Sequence, residues 1–240
     1  MVTKVNGLVM RSIKYGETSL IFDMYTEQYG LASFIVNGAR KAKSKLPASL
    51  FQLTNWIEIV AYFKDPRSLN RVKEAELILH YTSIPFDLPK SSVALFMTEV
   101  TQKTIKENES NQALYNFLFS SYLELDLSKV SIRDFHLVFL LKLTKYLGFA
   151  PQNNYSQNLP YFNLISGNFV AVDHPLHTLD RDSSHGMKRY LAHVDGELTI
   201  PDVDRDTRQK LLTAILNFYR YHLEKFPEIR THKILAEVFG

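Results

Sequence analysis

The sequence predicts an α+β protein, a small closed β-barrel of five strands followed by a helical module. Three observations predict it. Short runs rich in β-branched and aromatic residues, punctuated by glycine and proline turns, fill residues 1–80. After Pro85 the apolar residues recur at helical spacing instead of alternating. Charge divides at the same place: residues 1–80 carry 11 Lys and Arg against 7 Asp and Glu, and the rest carry 17 against 18. The positive excess therefore belongs to the β-rich part, an asymmetry that points to a nucleic-acid or membrane-surface contact.

The elements follow in order. Val5 to Lys14 is β-rich, and Tyr15-Gly16-Glu17 turns the chain into a second strand, Ser19 to Thr26. Glu27 to Gly30 turns it again into Leu31 to Val36, which Asn37-Gly38 ends. Trp56 to Phe63 alternates, with Ile57, Ile59 and Ala61 on one face and Trp56, Glu58, Val60 and Tyr62 on the other. Asp65-Pro66 turns into a last strand, Leu69 to Leu79. Five short strands in this length fit a barrel of the OB type, which hides its strand edges by closing.

Helices are predicted over Pro89–Glu107 and Ala113–Leu125, and over Phe135–Leu147 behind a capping-box pattern, Ser131-Ile-Arg-Asp134. That third helix is apolar nearly all round and ends at Gly148, as the buried centre of a helical domain would. Residues 149–185 read as an irregular insertion with a hairpin near Ser166-Gly167-Asn168. Helices follow over Met187–Val194, Thr207–Phe226 and Thr231–Phe239. The expected domains are 1–80, the barrel, and 81–240, the all-α module with its insertion.

The chain has no cysteine, which excludes disulfides, thiolate metal sites and cysteine nucleophiles. No apolar signal core opens it, and no run reaches 18 apolar residues, so a cytoplasmic protein without a membrane contact is expected. Residues 38–45, Gly-Ala-Arg-Lys-Ala-Lys-Ser-Lys, hold four cations in six residues and no carboxylate. Such a run is either a solvated face or a phosphate contact. Lys4, Arg11, Lys14, Arg67, Arg71 and Lys73 lie in the same module, interleaved with Tyr15, Phe22, Tyr25, Tyr29, Phe34, Trp56 and Tyr62. Aromatic faces stack on unpaired bases, so charge and aromatics together favour nucleic acid, although barrel core is the simpler role for any single ring. Asp173, His174, His177, Asp180, Asp182 and His185 form the one metal-like cluster; Pro175 between the histidines argues against helical presentation of ligands. Neither a nucleophile elbow nor a phosphate-binding P-loop is present, and no catalytic residue, metal or cofactor is expected.

Residues 7–46 resemble the opening of the bacterial RecO recombination and repair family. The resemblance rests on Gly7-Leu-Val-Met-Arg11, Tyr15-Gly16-Glu17, Tyr25-Thr26, Tyr29-Gly30-Leu31 and Asn37 to Lys45 at these separations. Leu140 to Pro151, Tyr219 to Leu223 and Lys233 to Leu235 resemble later parts of the same family. The resemblance implies an OB fold and a helical domain. It also implies binding to single- and double-stranded DNA, strand annealing, and help, together with RecR, in loading RecA onto strands coated by single-strand-binding protein. Many members carry a four-cysteine zinc element after the segment matching Leu147 to Pro151; Asn153 to Asp173 has no cysteine, so packing must hold it.

The residues expected to touch DNA are Arg11, Lys14, Arg40, Lys41, Lys43, Lys45 and Arg71. Lys142 and Lys145, with Arg133, are the candidates for holding the acidic, hydrophobic tail of single-strand-binding protein. An RNA-binding OB protein, an adaptor without nucleic-acid affinity and a hydrolase built on residues 173–185 remain as alternatives.

Overall fold

A computed structural model describes residues 1–105, 108–197 and 201–239, so the last two residues expected in the first helix lie outside the described residues. The chain forms two compact units, Met1–Leu127 and Ser128–Gly240. The strand-to-helix change near residue 80 thus falls inside the first unit, which also holds two helices.

In the first unit, β1 (Val2–Tyr15), β2 (Ser19–Thr26), β3 (Gly30–Val36), β4 (Trp56–Tyr62) and β5 (Leu69–Leu77) close a barrel in the order β1-β2-β3-β5-β4. Only the β3–β5 pair is parallel. This is the OB order that strand count and length suggested. β1 serves two neighbours, pairing with β2 and with β4. Where it crosses β2, a Cβ on Gly7 would stand 2.3 Å from the Tyr25 carbonyl oxygen, so only glycine fits.

The period-2 pattern sorts inside from outside. Val5, Val9, Phe22, Met24, Phe34, Ile57, Ile59 and Ala61 are buried in the barrel. Phe22 stacks on Phe34 at 5.4 Å and meets Phe51 at 4.8 Å. Phe51 comes from a 3₁₀ turn, Ala48–Phe51, between β3 and β4. The outward Trp56 is also buried, because α2 (Gln112–Leu127) covers it edge-on with Tyr115, Phe119 and Tyr122.

α1 (Leu88–Thr104) opens on Asp87, whose side chain accepts from the Lys90 amide, with Pro89 in the first turn. Asp126, near the end of α2, binds the strap that leads into α1. Its carboxylate accepts from the amides of Thr82, Ser83 and Ile84 at 2.8, 2.8 and 2.9 Å and from the hydroxyls of Thr82 and Ser83. Burial alone would raise its pKa, but these donors outweigh burial and bring it to about 2.

In the second unit, α3 (Phe135–Leu147) buries Leu137, Leu140, Leu141 and Leu143 and ends at Gly148 in the left-handed region. The expected capping box does not form. Asp134 occupies the cap position without a capping bond, because its carboxylate is taken by Tyr190 (2.7 Å), Arg133 (3.2 Å) and Arg208 (3.6 Å). The insertion contains the hairpin β6 (Tyr161–Asn163) and β7 (Asn168–Val170). Aromatic packing and local hydrogen bonds hold it: Phe162 meets Phe169 and Phe218, Asn154 bonds both backbone groups of Phe169, and the Phe162 amide donates to Ser184.

α4 (Arg181–Val194) starts earlier than its apolar pattern suggested, because Asp180 caps it by accepting from the Ser183 amide. α5 (Arg205–His222), capped by Asp204, buries Leu211, Ile215, Phe218 and Tyr219, and the Tyr219 hydroxyl reaches the Leu140 carbonyl at 2.7 Å. α5 ends short of Phe226, and α6 (His232–Val238) closes the chain.

Removing the Asp126 carboxylate takes the acceptor from three strap amides at once, that of buried Ile84 among them. Asp126→Ala is expected to lower unfolding free energy by about 3 kcal/mol, read by urea unfolding at neutral pH. Because the folded pKa lies below the ordinary value, the stabilisation is complete above about pH 4 and is lost as pH falls toward about 2. Acid titration of the variant should lack that component.

Candidate nucleic-acid interface

The basic loop is anchored at both ends. Ala39 is buried at its start, Phe51 fills the barrel just beyond its end, and the Ala48 amide bonds the Ala39 carbonyl at 3.0 Å. Gly38 turns the chain out of β3 at φ +70°, a conformation that favours glycine. Inside the loop, Lys41 N donates to Gly38 O and Ser44 N to Lys41 O. Arg40 fastens the loop to the β1–β2 turn: its amide donates to Thr18 O at 2.9 Å and its guanidinium to Gly16 O at 3.2 Å.

Arg40, Lys41, Lys43 and Lys45 are all exposed. None of them forms an ion pair among the described residues. Four positive charges are thus held on a short, internally bonded frame with no carboxylate to neutralise them.

The other expected DNA residues divide by register. Lys14 pairs with Leu20, and Leu20 with Val36, so Lys14 stands at the same rim as the loop. Arg71 pairs with Ile35 and with Tyr62 on the outer wall. Arg11 also lies on that wall, opposite Asp23, to which its guanidinium is bound at 3.1 Å. Asp23 in turn accepts from the Ser33 hydroxyl at 2.7 Å. The charge of Arg11 is therefore already compensated, which sequence alone did not show because the partner sits on the neighbouring strand.

Burial sorts the aromatics. Phe22, Tyr25, Phe34 and Trp56 are buried, and Tyr29 stacks on Phe63 at 4.3 Å. Tyr15 and Tyr62 remain 55% and 49% exposed, beside the β1–β2 turn that Arg40 grips and beside Arg71 respectively. Register joins Ile13, Ile21, Ile35, Arg71 and Tyr62 into one cross-strand row on the outer wall.

The second unit holds a cavity of 240 Å³, with Arg133, Arg205 and Arg208 on its walls and Leu212, Leu235 and Phe239 among its apolar lining. Burial, reinforced by the Arg208 guanidinium, lowers the pKa of the lining His136 to about 3, so the imidazole is neutral near pH 7. Lys142 and Lys145 do not line this cavity; Lys145 pairs with Asp195 at 3.0 Å. Arg205 and Arg208 escaped the sequence reading because they lie at the start of α5, more than seventy residues from Arg133, and no local pattern joins them to it.

In the insertion, Asp173 and Thr178 are joined by their side chains, and the Thr178 hydroxyl also takes the His174 amide. Among the described residues, no group of three His, Asp or Glu is placed to hold a metal ion, and no helix is long and apolar enough to cross a membrane.

Closed-barrel order and an anchored cationic loop define an OB-type protein with an appended helical unit. The family described as Recombination protein O N terminal matches residues 1–81, and Recombination protein O C terminal matches 85–157. DNA repair protein RecO of Bacteroides fragilis is 35% identical over the whole length of both chains, and that of Christiangramia forsetii is 32% identical over the same span. The chain belongs to the RecO family of DNA repair and recombination proteins, which are non-catalytic recombination mediators. A solved structure titled a putative aspartyl-tRNA synthetase from Leishmania major Friedlin, at TM-score 0.26 and 9% identity over 90% of this chain and 48% of that one, carries no argument.

Exposure makes the loop lysines chemically distinct from buried ones. An amine-acetylating reagent is expected to modify Lys41, Lys43 and Lys45 well before Lys90, which is buried and donates to the Asp126 carbonyl at 2.9 Å. Mass spectrometry of a short time course reads the order.

Proposed function

We propose that the chain binds single- and double-stranded DNA through the loop Gly38–Lys45, with Lys14 and Arg71 extending the phosphate track and Arg11 contributing less. The observation that carries this reading is the anchored loop whose four exposed cations have no ion pair among the described residues. Ordering the loop in advance reduces the entropy lost on binding, and each phosphate neutralised releases condensed counterions. Tyr15 and Tyr62 are the rings free to stack on bases. Annealing then needs no covalent chemistry, since neutralised strands repel less and are concentrated on the protein. In this reading the protein acts with RecR to help load RecA onto strands coated by single-strand-binding protein.

The test changes Arg40, Lys41, Lys43 and Lys45 to Ala together and titrates a fluorescent single strand across salt. The logarithmic salt slope is expected to flatten by about 3, at ~0.7 per charge. Arg11→Ala alone should change the slope far less than Lys43→Ala. Wild-type slope in the quadruple variant removes the loop from the interface, and a preference for folded RNA in competition favours the RNA-binding alternative.

A second reading concerns the helical unit. The cavity bearing Arg133, with an apolar floor and two further guanidinium groups, suits an acidic peptide ending in an apolar side chain. We assign the tail of single-strand-binding protein to it through Arg133, Arg205 and Arg208, with Lys142 and Lys145 as the competing contact on α3. Arg205→Glu is expected to weaken a fluorescent tail peptide about tenfold, roughly the 1.4 kcal/mol of one exposed charge-assisted contact reversed in sign. Loss of peptide in Lys142→Ala/Lys145→Ala instead would move the contact to α3.

A further inference from the structure

The helical unit carries a second set of basic side chains, two of them cations, arranged against aromatic rings. Arg181, His185 and Lys188 recur along α4 at four- and three-residue steps, which places them on one face. Arg181 and His185 are exposed and Lys188 is half-buried. Two tyrosines of the insertion meet this face. The Arg181 guanidinium lies 5.4 Å from the centre of the Tyr161 ring, and its Nε donates to the Tyr161 hydroxyl at 3.1 Å. Lys188 Nζ lies 4.6 Å from the centre of the Tyr155 ring, which His185 approaches edge-on at 6.1 Å.

Arg181, His185 and Lys188 form no ion pair among the described residues. Two acids flank Arg181 in sequence: Asp180 is occupied in capping α4 and faces Lys210 at 4.0 Å, and Asp182, exposed in the first turn, pairs with none of the three among the described residues. Cations held over aromatic faces and outside any ion pair among the described residues are the elements of a sequence-tolerant single-strand contact: phosphates meet the cations and bases meet the rings.

We propose that Arg181, His185 and Lys188, with Tyr155 and Tyr161, form a second contact for single-stranded nucleic acid, on the unit that does not contain the barrel. The proposal rests on the reading that this protein handles DNA, and it deepens it. Annealing joins two strands. A chain with one contact brings them together only through two copies, whereas a chain with a contact on each of its units engages both strands itself.

The experiment uses the full chain and a fluorescent oligothymidylate. It compares the wild type, the four-alanine loop variant, Arg181→Gln/Lys188→Gln and the six-fold combination, reading salt slope and the rate of annealing of two complementary strands. The double variant is expected to flatten the slope by about 1.4, at ~0.7 per charge, and to slow annealing more than it weakens binding. Tyr155→Leu, which changes no charge, is expected to weaken binding without changing the slope. Cation–ring pairs that only pack the insertion would lower the melting temperature and leave slope and annealing at wild-type values, and that result overturns the proposal. If the double variant does not fold, Lys188→Gln alone still reads a slope change of about 0.7, and its absence is equally decisive. Loss of binding in the double variant with none in the loop variant supports this contact and removes the barrel loop. Loss only in the loop variant does the reverse.

Discussion

Phe51 inside the barrel is the contact on which the display of charge depends. The stretch between β3 and β4 would otherwise be a polar excursion carrying four like charges, and such a segment extends and moves. Burying one phenylalanine side chain stabilises by roughly 2–3 kcal/mol, and here that side chain lies against Phe22 in the centre of the barrel. With Ala39 buried at the other end and the backbone closed between Ala48 and Ala39, the charges have nowhere to go but outward. Core packing thus positions a surface feature.

The same economy of faces operates at Trp56. An indole on the outer wall of a barrel would be an exposed apolar patch, and three aromatic residues of α2 cover it. The rest of the wall keeps Tyr62, Arg71 and the isoleucine row partly open. In the helical unit Asp134 has a comparable organising role. It binds Tyr190, Arg133 and Arg208 together, so a residue that reads as a helix cap instead fixes two cations at the edge of a cavity.

The insertion shows how a segment without cysteine is held. Without cysteine, the hairpin is held by Phe162 packed on Phe169 and Phe218, by Asn154 bonding across to Phe169, and by the Ser184 hydroxyl. Its stabilisation is distributed over aromatic area and local hydrogen bonds. The consequence is a segment rich in rings beside α4, and it is there that the second cation group sits.

Much of this was legible in the sequence because it is local. Alternation in Trp56–Tyr62 identified Ile57, Ile59 and Ala61 as interior, turn residues bounded β2, and Gly148 ended α3. The basic loop and its four cations were evident from composition alone. Misreadings arose where a side chain had a choice of partners: Asp134 read as the acid of a capping box opened by Ser131 until Tyr190 and Arg208, more than fifty residues away, claimed its carboxylate. Sequence by itself determined the order of strands and helices, most of their bounds and where the positive charge lies, since period, propensity and charge are properties of neighbours. Only the tertiary structure decided that Arg11 is neutralised by Asp23, that Tyr15 and Tyr62 are the open rings, and that Arg133 joins Arg205 and Arg208 around one cavity. Each of these depends on strand register or helix packing between distant segments, and such distances are fixed only once the chain has closed.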